Sequence, residues 1–240
     1  MEKRELLYEG KAKRVYATGD DMLVIVHYKD DATAFNGEKK GTILGKGIIN
    51  NRLSNFLFQV LEAEGIETHL VKELSDRETL VKRVEILPIE VIVRNVAAGS
   101  MAQRYGMKEG TALLFPVLEY SYKDDALGDP LFSESHILAM GLADKEEMGR
   151  IEEMALGIND VLSGYLRERG IFLADMKLEF GRLDGSIVLA DEISPDTCRF
   201  WDVDTGEKLD KDRFRRDLGG VEEAYQRIME RIMAPWEGDR

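Results

Sequence analysis

Polar and apolar residues alternate strictly from Ala174 to Phe180: Asp175, Lys177 and Glu179 fall on one side, Ala174, Met176, Leu178 and Phe180 on the other. A period of two is that of a β-strand with one face in a core. The run leads to Asp184-Gly185, a dipeptide that favours a two-residue hairpin turn. A second, apolar strand from Ser186 to Ser194 carries Asp191-Glu192 near its end. With that turn, Leu183 pairs with Ser186, and Glu179 lies opposite Ala190, beside Asp191. Strict alternation puts Glu192 on the Glu179 face, whereas a slip or bulge of one residue substitutes Asp191. Two readings fit: carboxylates gathered to hold Mg²⁺ beside phosphates, or a solvent-facing strand with a salt-bridge ladder.

Elsewhere the pattern predicts strands at Glu5 to Glu9, Arg14 to Ala17, Met22 to Tyr28, Glu67 to Glu73 and Thr79 to Ile86. A turn is expected at Phe35-Asn36-Gly37. A spacing of three and four in Ile49, Leu53, Phe56, Leu57, Val60 and Leu61 predicts a helix from Ile48 to Glu64, stopped by Gly65. Leu87-Pro88 reads as a strand boundary and an inter-domain hinge. A buried strand then carries Arg94 and breaks into Ala97-Ala98-Gly99-Ser100, before a short helix from Met101 to Tyr105. Tyr120 to Pro130 reads as a charged loop. Met148, Ile151, Ala155, Ile158, Leu162, Tyr165 and Leu166 line a long helix from about Asp144 to Arg169, stopped by Gly170. The last helix runs from Gly219 to Met233, and Ser194 to Trp201 reads as a loop that returns Arg199 toward the carboxylates.

A chain of 240 residues, 44% hydrophobic, has room for one large or two small domains. Its net charge of −13 argues against general binding to nucleic acid or anionic membranes, yet leaves room for a locally basic pocket. The one cysteine, Cys198, excludes an intrachain disulfide framework, and the three scattered histidines have no zinc-ligand spacing. There is no signal-peptide core, and no run approaches the about 20 apolar residues of a membrane span. A soluble, cytoplasmic protein is the expectation.

Chemistry is distributed along the chain. Gly10-Lys11-Ala12-Lys13 is a turn between strands that can lie over nucleotide phosphates, although it lacks the Walker A spacing and also fits a plain surface hairpin. Lys82, inside an apolar strand, needs a paired anion or an edge position. Lys123 and Asp129 are either ligand contacts or surface residues. Arg94, Ser100, Arg199 and Arg215 suit a second anion pocket, since guanidinium groups bind phosphates and carboxylates through paired donors. Together these pieces describe a nucleotide-phosphate and Mg²⁺ site between two lobes.

Two segments carry a resemblance to a known family: Leu87-Pro88-Ile89-Glu90 through Arg94 to Ala98-Gly99-Ser100, and Asp175-x-Lys177-x-Glu179-Phe180-Gly181. Both resemble the diagnostic motifs of SAICAR synthetase (phosphoribosylaminoimidazole-succinocarboxamide synthase), of purine biosynthesis. Gly10 to Lys13, Asp191-Glu192-x-Ser194-Pro195-Asp196 and Lys211-Asp212-Arg213-Phe214-Arg215 resemble it too, and the similarity spans essentially the whole chain. At Phe35-Asn36-Gly37 some members carry Gly-Asp-Gly; an asparagine is no base, so no proton transfer is assigned to position 36.

The resemblance implies an α+β fold of two lobes with antiparallel sheets. Residues 1–86 form a nucleotide lobe like the small lobe of protein kinases, or ATP-grasp-like, and 87–240 bind substrate and metal. It implies that ATP, an aminoimidazole ribonucleotide carboxylate and L-aspartate give an amide, ADP and phosphate, with a homodimer as the assembly. With residue chemistry added, Glu179 and Asp191 hold Mg²⁺; Lys11, Lys13, Lys82 and Lys123 neutralise ATP phosphates, with Ala12 in the same turn. The main chain around Glu85 and Leu87 receives adenine. Arg94, Ser100 and Arg199, with Arg215 as a further candidate, hold the ribonucleotide phosphate. Asp175 and Lys177 lie beside the reacting carboxylate, where Asp175 orients groups or accepts a proton. A small-molecule kinase and a non-catalytic nucleotide-binding protein are the rival readings.

Overall fold

The computed structural model describes residues 2–34 and 37–235; the turn expected at Phe35-Asn36-Gly37 falls on 35 and 36, outside the described residues. The chain opens with β1 (Leu6–Glu9), β2 (Lys13–Ala17), β3 (Leu23–Tyr28), the small pair β4 (Asp31–Ala34) and β5 (Lys39–Thr42), and helix α1 (Lys46–Ala63). Strands β6 (Leu70–Ser75) and β7 (Glu78–Lys82) complete a five-stranded sheet in the order β1-β2-β3-β7-β6. Then come β8 (Glu85–Val96), α2 (Gly99–Arg104), β9 (Ala112–Tyr122), β10 (Leu131–Phe132), α3 (Glu134–Ala139) and α4 (Lys145–Arg167). The chain closes with β11 (Ile171–Leu183), β12 (Ser186–Ala190), β13 (Cys198–Asp202), α5 (Asp212–Arg215) and α6 (Val221–Met233). Strands β10-β9-β8-β11-β12 form the second sheet, with β13 also paired to β11. All pairings between these strands are antiparallel.

The hairpin register is the one the turn dictates: Leu183 pairs with Ser186, and Glu179 with Ala190. β12 ends at Ala190, short of the Ser194 expected from the apolar run, because Asp191 turns into the left-handed region at φ 60. Strand β11 is hydrogen-bonded to β8 along one edge and to β13 and β12 in succession along the other. Its middle is therefore internal to the sheet, and with side chains crowding over them Asp175 and Glu179 are each only 3% exposed. That burial overturns the reading of β11 as a solvent-facing salt-bridge strand.

Several boundaries differ from expectation. Leu87-Pro88 is no strand end, because β8 runs through it from Glu85 to Val96. On the β11 side the ladder passes from Glu179–Glu90 to Gly181–Ile86, so Leu87, Pro88 and Ile89 face one residue in a bulge, where a proline without an N–H is tolerated. Chain crossover between the sheets instead occurs at Arg83-Val84, which also splits the single strand expected from Thr79 to Ile86. Likewise Glu67 to Glu73 is not one strand: residues flanking Thr68 bond Leu189 of β12 in a parallel bridge, and Leu70 onward pairs with β7. Strand β9 has no counterpart in the sequence reading and takes in Tyr120 to Tyr122 of the expected loop; its Pro116 and exposed Leu114 and Phe115 obscure any alternation.

Apolar stripes of α1, α4 and α6 pack with β8, β11, β12 and β13 into the main core, while Val24, Val26, Tyr28 and Val81 form a smaller one in the first sheet. Helix α4 starts with a capping box between Asp144 and Glu147, and Gly170 at φ 66 follows its end. Helix α1 has glycine at its N-cap, so its start is satisfied from outside. Asp30 accepts from the N–H of Gly47 at 2.8 Å and is itself held by Arg77 at 2.7 and 2.9 Å. No Cβ fits at Gly47, where it would lie 2.5 Å from both Arg77 and the Tyr28 carbonyl.

Candidate active site

Three parallel rows of side chains follow from the registers around β11. Asp175 lies opposite Arg94 of β8 on one side and Arg199 of β13 on the other. Its Oδ2 accepts from Arg94 Nη1 at 2.7 Å and from Arg199 Nη1 at 2.8 Å. Lys177 follows two residues on, and Glu179 lies opposite Glu90. Lys177 Nζ donates to Glu90 at 2.5 Å and to Glu179 at 3.2 Å. Lys123, from the loop after β9, donates to the other oxygen of Glu179.

Across the cleft, Lys13 of β2 lies 2.7 Å from Asp191 and 2.9 Å from Glu192. Consecutive strand residues point to opposite faces; the left-handed Asp191 breaks that rule and lets one lysine meet both carboxylates. The slip-or-bulge alternatives thus resolve into neither alone. Glu192 is further held by the Ser194 hydroxyl at 2.6 Å. Lys11, in the turn before β2, reaches Asp125 at 2.6 Å.

The second group of cations is built on β8, α2, β13 and α5. Arg94 is 2% exposed, and its Nε donates to Glu119 at 2.5 Å and its Nη2 to Ser100 Oγ at 3.0 Å. Arg199 also donates from Nε to Asp212 at 3.0 Å, and Arg215 Nη1 to the same carboxylate at 2.7 Å. Gly99, at φ 51, lies under the Arg199 guanidinium, where a Cβ would approach to 2.4 Å. Position 99 is therefore a glycine because an arginine lies over it.

Charge sets the protonation states. Burial works against charge on Lys13 and on Lys177, but Asp191 and Glu192 raise the Lys13 pKa well above the ordinary lysine range, and Glu179 and Glu90 do the same for Lys177. Burial also opposes charge on Asp191, yet Lys13 and Lys177 hold its pKa well below the usual carboxylate range. The cleft so formed has a volume of about 450 Å³. Among the described residues eight lysines and arginines and eight carboxylates line it, so it is locally neutral in a protein of net charge −13. That balance suits anionic ligands that bring a cation with them.

Lys11, Ala12, Lys13, Arg94, Ser100, Lys123, Asp175, Lys177, Glu179, Asp191, Arg199 and Arg215 all line this one cleft, as does Asp129. Lys82, Glu85 and Leu87 are not among its lining residues. Lys82 Nζ donates to the Thr68 carbonyl at 3.2 Å beside a separate hollow, Glu85 is exposed and paired with Arg182, and Leu87 is 1% exposed in the core. Its apolar strand singles out Lys82, and the family resemblance singles out Glu85 and Leu87 as main-chain contacts for adenine; Lys82 ends β7, and Glu85 and Leu87 lie just beyond the crossover, at the start of β8. The sequence reading gave no role to Glu90, Glu119, Lys46, Asp196, Lys211 and Tyr225. The hairpin alternation names β11's own residues but not the strands beside it.

Among the described residues no group of three or more His, Cys, Asp or Glu side chains could hold a metal ion unaided. Glu179 and Asp191, each gripped by lysines, fit a different kind of ion, one that takes its remaining ligands from phosphates and water. No helix among the described residues is long and apolar enough to cross a membrane.

A family model described as SAICAR synthetase matches residues 6–232. The phosphoribosylaminoimidazole-succinocarboxamide synthase of Lachnoclostridium phytofermentans is 60% identical over 232 residues, which cover 97% of this chain and 99% of that relative. A crystal structure of the Ehrlichia chaffeensis synthase superposes with a TM-score of 0.94 at 46% identity, covering 96% of this chain and 99% of the other. A SAICAR synthetase solved in complex with ADP gives 0.93 at 47% identity, covering 97% and 99%. By motif, by length and by fold, this chain belongs to the SAICAR synthetase family.

Proposed function

We propose that the cleft binds ATP and the aminoimidazole ribonucleotide carboxylate side by side and joins the latter to L-aspartate, releasing ADP and phosphate. An ADP-bound relative with the same fold supports nucleotide use. The observation that carries the reading is the division of the cleft's cations. Lys11, Lys13 and Lys123 cluster with Glu179 and Asp191 at one end, and Arg94, Arg199 and Arg215 with Ser100 at the other, with Lys177 between them on β11. One end suits the triphosphate, the other the phosphate of a ribonucleotide.

In this reading the nucleotide lies between the first sheet, a lobe like the small lobe of protein kinases within residues 1–86, and the second sheet within 87–240. Direct attack of an amine on a carboxylate fails because oxide is a very poor leaving group. Instead a carboxylate oxygen of the ribonucleotide attacks the γ-phosphorus, the bond to the bridging oxygen breaks, and ADP leaves. The aspartate amine then attacks the acyl carbon, the bond to the phosphate oxygen breaks, and the amine gives up a proton.

Phosphoryl transfer needs positioning and charge neutralisation. Lys13 and Lys123 supply both, because Asp191 and Glu179 already fix their ammonium groups. Mg²⁺, when bound by Glu179 and Asp191, spreads the phosphate charge. Lys177 lies on the floor between the two ends and keeps its proton, so it serves as a fixed positive charge beside the reacting carboxylate. Asp175 has its oxygens taken up by two guanidinium groups, which fits orientation of Arg94 and Arg199 better than proton transfer. The cytoplasm, as the site of nucleotide synthesis, and a homodimer complete the proposal.

The test is ADP release with Mg²⁺-ATP, the ribonucleotide carboxylate and L-aspartate, each omitted in turn. Release that needs all three, with succinocarboxamide as product, is expected. ADP release without aspartate and a stable phosphorylated product would instead mark a kinase.

A further inference from the structure

Seven of the eight basic residues lining the cleft have been allotted to ATP phosphates, the reacting carboxylate and the ribonucleotide phosphate. The eighth, Lys211, has not. It lies just before α5, with its side chain 13% exposed. Its Nζ has one carboxylate partner among the described residues, Asp196 Oδ2, at 3.3 Å. That oxygen is taken more closely by Lys46 at 2.8 Å, and the Tyr225 hydroxyl donates to Oδ1 at 2.6 Å. One carboxylate thus serves two ammonium groups and a phenol, and an ammonium has three donors to satisfy.

The rest of this cluster is fixed. Lys46 is fully buried at the first position of α1, where a cation meets the positive end of the helix dipole, so it stays only because Asp196 is there. Tyr225 is fully buried on α6. Lys211 is the member that borders the cleft, together with Asp196 and Thr197. Burial, the largest effect, and the charges of Lys46 and Arg215 pull its pKa below the ordinary lysine range despite Asp196, as for a cation that lacks a full counter-charge.

L-aspartate brings two carboxylates to the cleft, and neither has yet been given a cation. We infer that Lys211 binds the side-chain carboxylate of the L-aspartate substrate, and that Asp196, held by Tyr225, positions it. This rests on the ligase reading of the same cleft. Lys211 stands one turn before Arg215 at the start of α5, whereas Arg94 and Ser100 stand on β8 and α2, so the amino acid's anchor adjoins the Arg215 edge of the ribonucleotide phosphate's. A single ammonium shared with Asp196 selects a dicarboxylic amino acid over its amide, because the amide leaves the lysine underpaired.

Steady-state kinetics on the full chain test this. K211M is expected to raise the KM for L-aspartate by at least about tenfold and to erode the preference for L-aspartate over L-asparagine, with the KM values for ATP and ribonucleotide little changed. K211R, which keeps the charge, is expected to restore most of the loss. An unchanged aspartate KM in K211M, or a larger rise for the ribonucleotide, overturns the assignment. Should K211M not fold, Tyr225→Phe carries the test. It removes only an O–H, and a rise in aspartate KM of about threefold without change for the other substrates supports the inference, while no change overturns it. Wild-type turnover that ignores aspartate would bring down the ligase reading itself, a result distinct from any behaviour of the variants.

Discussion

Asp191 accepts from Lys13 across the cleft at 2.7 Å while its own backbone sits in the left-handed region at φ 60. A residue on the second sheet is thus bent out of its strand to meet a lysine from the first. Glycine adopts that backbone without strain, and alanine does not. D191G is therefore expected to be more stable than D191A by about 1 kcal/mol, with turnover in both reduced by at least about 100-fold. Denaturant unfolding alongside turnover measures this, and the opposite stability order would mean that the kink is not set by the backbone.

Glu179 is 3% exposed, with Lys123 and Lys177 on its two oxygens. Glu179→Gln keeps the shape and removes the charge. Turnover is expected to fall by at least about 100-fold while circular dichroism shows a native fold. Near-normal turnover at saturating Mg²⁺ removes Glu179 from the metal-holding pair.

Arg94 joins Asp175, Glu119 and Ser100, so its loss does more than empty a ligand pocket. Arg94→Ala leaves buried carboxylates short of a partner and is expected to cost about 3–5 kcal/mol of stability. Arg94→Lys is the fairer probe of binding. It keeps the charge but loses the planar fork, and is expected to raise the ribonucleotide KM by about tenfold with little effect on ATP. Equal effects on both substrates would argue against separate ends of the cleft.

Asp210 is fully buried, its Oδ2 has no hydrogen-bond partner among the described residues, and burial, with the nearby Asp212 charge, pushes its pKa up to about 7. The unfolded chain releases this proton near pH 4 and the folded chain near 7. Stability from this group is thus present below pH 4 and lost as pH rises to 7. Asp210→Asn removes the dependence. Relative to wild type it is expected to be more stable at pH 8 than at pH 5, by more than about 1 kcal/mol, in denaturant unfolding at the two pH values. A difference independent of pH would show that Asp210 titrates alike in both states.

Local pattern was enough for the parts of this protein that depend on neighbours in sequence. Alternation and the Asp184-Gly185 turn determined the hairpin, its register and the shared face of Asp175, Lys177 and Glu179. Helical spacing, with glycine stops for the first two, determined α1, α4 and α6 to within a few residues. The same motifs, met in order, carried the family. Tertiary structure decided the rest, because a strand's period tells which face a side chain takes and not which strand lies beside it. That β11 has β8 on one edge and β13 and β12 on the other puts Arg94 and Arg199 on either side of Asp175. The same crowding buries Glu179, and the bulge opposite β11 accommodates Pro88 inside a strand that the sequence alone appeared to end. Lys46, Asp196, Lys211 and Tyr225 come from four separated segments and meet only when α1 and α6 pack together, an association driven by apolar faces that carries no mark of the charges it brings into contact.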